Sequence, residues 1–113
     1  MIYKRFEVVK VPFPFTDRNA SKTRPALVLS DEDVFNAPIG HGVLAMITSA
    51  KHAAWPLDVP VTDLAAAGLP VPSIVRMKLF TLDHRLIIAR LGQLALPDSA
   101  AVERAIRTLL AIS

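Results

Sequence analysis

At 113 residues the chain is long enough to bury one real core and too short for two domains, so a single unit spanning residues 1–113 is expected. It contains no cysteine, which excludes disulfide staples and thiolate metal sites and points to a reducing compartment; its three scattered histidines, His41, His52 and His84, lack ligand spacing, so no structural metal or other cofactor is expected. The side chains are 52% hydrophobic and 20% charged, against roughly 25% charged in an average globular domain, so part of the surface is expected to be hidden in a partner.

The net charge of +3 is unevenly spread. Residues 1–24 carry six basic and two acidic side chains, residues 25–75 one and five, and residues 76–113 six and three. Segregation of this kind fits a local anion-binding face better than general cationic stickiness. Nothing in the chain approaches the ~20 apolar residues of a membrane span, and no apolar run follows Lys4-Arg5 as in a signal peptide. A cytoplasmic protein with no membrane contact is therefore expected.

In chain order, residues 6–13 alternate with period two, with Glu7, Val9, Val11 and Phe13 on one side and Phe6, Val8 and Lys10 on the other. β-branched and aromatic residues in that pattern predict a strand. Pro12 and Pro14 cannot donate to a ladder, so its far end should lie at an edge or leave the sheet. A cationic turn with Arg18 and Lys22 follows, from Asp17 to Thr23. Residues 25–30, apolar on both faces, then predict a central strand. Arg24 stands at the mouth of that strand. Its position before Pro25 biases it to extended geometry, and a guanidinium aimed in that way suits a phosphate.

Asp31-Glu32-Asp33 closes the second strand, and residues 36–42 read as a loop by their Pro, Asn and Gly content. The apolar run Val43 to Ile47 predicts a third, buried strand that delivers the hydroxyls of Thr48 and Ser49 to its end. Such hydroxyls reach a ligand or simply bond the local backbone. Residues 51–56, with Lys51 and His52, read as a loop in which Trp55 packs rather than stacks on a base. Residues 58–61 predict a short edge strand, and residues 62–68 one helical turn capped by Thr62 or Asp63 and stopped by Gly68.

Residues 73–81 predict a strand with Arg76 and Lys78 on one cationic face. Thr81 to Arg85 read as a turn and Leu86 to Leu96 as the last strand. From Pro97 onward a helix is expected, capped by Asp98 or Ser99, with Val102, Ala105, Ile106, Leu109 and Leu110 as one buried stripe. Five or six short strands with few intervening helices imply a small barrel, mainly β, with that helix covering it.

The segments Lys22-Thr23-Arg24-Pro25-Ala26-Leu27-Val28-Leu29-Ser30, Met46-Ile47-Thr48-Ser49, Ser73-Ile74-Val75-Arg76 and Thr81-Leu82-Asp83, in that order, resemble the PemK/MazF family of toxins from bacterial toxin–antitoxin pairs. The likeness covers nearly the whole chain. It implies an SH3-like β-barrel of the MazF/CcdB type with a C-terminal helix, a homodimer, and metal-independent cleavage of single-stranded RNA at short motifs. It also implies a cognate antitoxin whose acidic C-terminal segment occupies the RNA groove. For a chain that binds RNA as this resemblance implies, the segment from Asp17 to Thr23 is a candidate lid. Arg24 matches the catalytic arginine, Thr48 the active-site threonine or serine, and Arg76 a basic residue that some members use. With these, Arg18, Lys22, Ser49, Lys51, His52 and Lys78 make up the expected RNA-contacting set. Two positions depart from the family pattern: Phe6-Glu7 stands where Gly-Asp is usual, and Lys78 where an acid is often found.

Cleavage of RNA without a metal requires the 2′-oxygen to lose its proton and attack phosphorus, and the leaving 5′-oxygen to gain one. The products are a 2′,3′-cyclic phosphate and a 5′-hydroxyl. Arg24 and Thr48 are suited to stabilising the phosphorane charge. An arginine is a poor base at neutral pH, which leaves the base open, with His52 one candidate. A different function on the same barrel is that of CcdB-type toxins, which bind DNA gyrase and cut nothing; a third is an inactive family member that binds RNA or antitoxin.

Overall fold

The computed structural model describes residues 1–13 and 22–113. Strand β1 (Glu7–Phe13) is followed by β2 (Lys22–Val28), a π-helical turn (Glu32–Asn36) running into α1 (Ala37–Ile39), and β3 (His41–Ser49). Then come β4 (Val59–Pro60), α2 (Leu64–Ala67), β5 (Ser73–Asp83), a 3-10 turn (His84–Leu86), β6 (Ala89–Gln93) and α3 (Leu96–Leu109). The strands form one curled antiparallel sheet in the order β4-β5-β3-β2-β1-β6, a half-barrel with a C-terminal helix, as the sequence predicts.

The central strands are apolar on both faces because both faces are covered. On one side Val8, Leu27, Ala45, Ile47 and Val75 pack with Ala67 of α2 and with Val102 and Ala105 of α3. On the other, Val9, Val11, Ala26, Val28 and Leu44 pack with Tyr3 from the N-terminal segment and with Leu82 and Ile87. Each fully buried aliphatic chain contributes roughly 1.5–3 kcal/mol relative to exposure. The proline signal in β1 is also realised: β6 pairs with β1 only as far as Lys10, so Pro12 needs no donor on that side.

Several boundaries differ from expectation. Lys22 and Thr23, read as the end of a lid, begin β2, because the β1–β2 register runs on to Phe13 opposite Lys22. Arg18 and the rest of that lid lie outside the described residues. The loop expected over residues 36–42 is instead helical turns and the start of β3. Asp31 caps them, its carboxylate accepting from the Asp33 and Val34 amides, and Gly40 ends them at φ 69°. Buried Asn36 fixes the segment by donating to the Tyr3 carbonyl at 2.9 Å and the Ser30 carbonyl at 3.0 Å. Elements of three to five residues are too short for periodicity to reveal. Thr81 to Asp83, read as a turn, continue β5 opposite Val43 to His41. The last strand is confined to Ala89–Gln93.

The expected cap of the C-terminal helix is also different. Ala95 occupies the N-cap without a side-chain bond, and Pro97 sits in the first turn. Asp98 is buried and spent elsewhere: its carboxylate accepts from the Thr62 amide (3.0 Å), the Thr62 hydroxyl (2.6 Å) and the Asp63 amide (3.1 Å). A local cap has lost to a tertiary contact that ties α3 to the lead-in of α2. The buried stripe ends early, since Leu109 and Leu110 are exposed.

Candidate RNA-cleavage site

Four neighbouring strands bring side chains to one cleft of about 250 Å³, lined by Phe13 of β1, Arg24 of β2, Met46, Ile47 and Thr48 of β3, Arg76 and Lys78 of β5, and Trp55 of the loop after β3. The register explains the meeting. β2 and β3 pair at Ala26 opposite Met46, and two residues further along each strand stand Arg24 and Thr48. Arg76 lies opposite Met46 from the other side, and Lys78 also lines the cleft.

Arg24 is exposed, its guanidinium carbon 4.8 Å from the centre of the Phe13 ring. It makes no ion pair with any described residue, and neither does Lys78. The half-buried Thr48 hydroxyl likewise has no hydrogen-bond partner among the described residues. These donors face the cleft without an ion pair or side-chain hydrogen bond to a described residue, although the Arg24 guanidinium stacks on Phe13. Arg76 is different. It is buried; its Nε donates to Asp58 Oδ1 at 3.2 Å, and its Nη2 donates to Asp58 Oδ2 at 2.9 Å and to the Ala53 carbonyl at 2.8 Å. Hydrogen bonds from Arg76 hold the Asp58 carboxyl below its ordinary value.

Of the other expected residues, Arg18 lies outside the described residues, and Lys22, Ser49, Lys51 and His52 do not line this cleft. Ser49 and Lys51 line a separate depression, and the Ser49 hydroxyl accepts from the Lys51 amide at 3.3 Å, the local backbone role open to such residues. His52 and Lys22 are exposed and line none of the described wall. Sequence reasoning missed Phe13, Met46, Ile47 and Trp55 as lining residues and Asp58 as the partner of Arg76. For Asp58 the signal was tertiary: Val59 pairs with Val75, which sets Asp58 against Arg76 across an antiparallel register. No group of three or more metal-binding side chains occurs among the described residues.

Residues 4–110 match the profile of the PemK-like, MazF-like toxins of type II toxin–antitoxin systems. The chain belongs to that family. Among solved structures, this MazF-like toxin is similar to MazF in the MazE–MazF complex from Deinococcus radiodurans, at 21% identity over 100% of this chain and 99% of that one, with a TM-score of 0.76. It is similar to the toxin MazF-mt6 of Mycobacterium tuberculosis at 22% identity over 95% and 98%, with a TM-score of 0.73. It also resembles a mycobacterial endoribonuclease in complex with its cognate antitoxin, at 16% identity over 98% and 97%, with a TM-score of 0.75. No curated protein matches the toxin significantly in sequence. Phe6 lies at φ 68°, the left-handed region that glycine adopts without strain.

Proposed function

We propose that this toxin is an endoribonuclease that cuts single-stranded RNA at short motifs by attack of the 2′-oxygen, leaving a 2′,3′-cyclic phosphate and a 5′-hydroxyl. The observation that carries this reading is the shared cleft of Arg24 and Thr48, whose donors are spent on no described residue. Arg24 offers a charged fork to the nonbridging oxygens, Thr48 adds a hydroxyl, and Lys78 adds charge at the rim. Preorganised donors of this kind stabilise the phosphorane more than the ground-state phosphate. The described lining holds no carboxylate or imidazole, so what it supplies is electrostatic stabilisation. The protein acts as a homodimer and is neutralised by an antitoxin whose acidic segment competes for the same cationic cleft, a reading supported by its likeness to toxins bound to their antitoxins.

The test is incubation of the purified toxin with single-stranded RNA in EDTA, with the ends mapped. Cleavage to cyclic-phosphate ends that vanishes with Arg24→Ala is expected. Intact RNA, together with toxicity that survives Arg24→Ala and recovery of DNA gyrase on pull-down, would establish the CcdB-type function instead.

A further inference from the structure

We infer that Trp55 is a base-stacking platform of the RNA site, and that Arg76 with Asp58 is its positioning clamp rather than a phosphate contact; this rests on the RNA-cleaving reading above.

Three observations carry it. First, Trp55 belongs to neither core cluster and is 45% exposed. An indole that served only packing would bury its large apolar surface; this one lines the cleft beside Arg24, Thr48 and Lys78. Second, its loop is held at several points. Asp58 Oδ2 accepts from the Trp55 amide at 2.8 Å, and Arg76 bonds both Asp58 oxygens and the Ala53 carbonyl, so one guanidinium ties the segments on both sides of Trp55. Third, the same guanidinium lies 5.0 Å from the indole centre, a cation–π contact that fixes the ring.

Arg76 is therefore already committed. Its side chain is 10% exposed, its charge is balanced by Asp58, and its Nε and Nη2 donors are engaged by the clamp. What the arrangement presents to the cleft is a rigid aromatic surface beside cations that make no ion pair with a described residue. That combination suits one base of a single strand stacked next to a phosphate held by Arg24 and Thr48, and stacking tolerates any base because each has a π-face.

The experiment uses the full chain and a 5′-labelled, mixed-sequence RNA 9-mer, 2′-O-methylated throughout so that the attacking hydroxyl is blocked. Trp55 is the sole tryptophan, so its intrinsic fluorescence reports its own contacts. Titration is expected to quench that fluorescence. Trp55→Leu should weaken binding by about tenfold and Trp55→Phe by less, as for loss of one stacked base. Arg76→Lys, which keeps the charge and loses the fork, should shift the free-protein emission and weaken binding, while leaving the salt dependence of binding unchanged. Unquenched fluorescence with Trp55→Leu binding within twofold of wild type overturns the inference, while Arg24-dependent cleavage of unmodified RNA would leave the nuclease reading standing. If folded wild-type protein neither binds the 9-mer nor cuts unmodified RNA, both fall.

Discussion

Arg24 and Arg76 line the same cleft with opposite degrees of commitment, and their substitutions should separate accordingly. Arg24→Ala is expected to lower cleavage by about 10²–10³-fold, the usual cost of losing one preorganised donor, with the melting temperature held. Cleavage rates and thermal melts of the same preparation check this. Asp58→Ala should do the reverse at the level of stability, costing about 3–5 kcal/mol, because it leaves the Arg76 charge buried and unpaired. Denaturant titration reads that loss. Salt dependence distinguishes the cations further: Lys78→Gln should reduce the slope of log affinity against log salt by about 0.7, one phosphate contact on a single strand.

A second residue-scale prediction concerns His84, which lies outside the cleft. Its ring is buried against Tyr3, Nδ1 accepts from the Tyr3 amide at 3.2 Å, and Nε2 has no hydrogen-bond partner among the described residues. Burial pushes the imidazole below its ordinary value of 6.5, so folding favours the neutral ring. The unfolded chain then binds the proton more readily, and stability is full above about pH 6.5 and falls as the pH drops below it, by at most about 1.4 kcal/mol per pH unit for this group. Chemical denaturation at pH 7.5 and pH 5 should show the loss in wild type. His84→Gln should flatten it.

Among elements, α2 sits on β6 by close backbone approach as well as by the packing of Ala67 in the core and of Leu64 against it. A Cβ at Gly68, where φ is 70°, would stand 2.1 Å from the Leu91 carbonyl oxygen, and one at Gly92 would stand 2.4 Å from the Ala66 carbonyl oxygen. Gly92→Ala should therefore lift α2 from β6 and lower the melting temperature more than Gly40→Ala, whose surroundings are open. The Asp98 contact works from the other side of the same element. Asp98→Ala strands the Thr62 and Asp63 donors and should cost about 2–3 kcal/mol, whereas an ordinary exposed N-cap would cost about 1. Comparison by calorimetry of Asp98→Ala with Ser99→Ala, whose hydroxyl donates only to the Leu96 carbonyl, tests this.

At the scale of the whole molecule, a half-barrel leaves edges and apolar residues for a second copy to cover, and the proposed homodimer predicts a sedimentation mass of twice 12.3 kDa; a mass of 12.3 kDa at micromolar concentration would overturn it. The existence and order of most strands and the α2 cap and stop were legible in the sequence, because alternation, proline restriction and capping act over a few neighbouring residues; Thr48 was singled out by the family resemblance, not by any local pattern. The sequence alone therefore determined a mainly β half-barrel with a C-terminal helix. Tertiary structure decided what depends on distant partners. It took Asp98 from its helix cap to Thr62, spent Arg76 on Asp58, turned Trp55 from the core to the cleft, and separated Ser49, Lys51 and His52 from Arg24. The register between β4 and β5, and between β2 and β3, brings those groups together or apart, and no local pattern encodes a register set by the packing of both sheet faces.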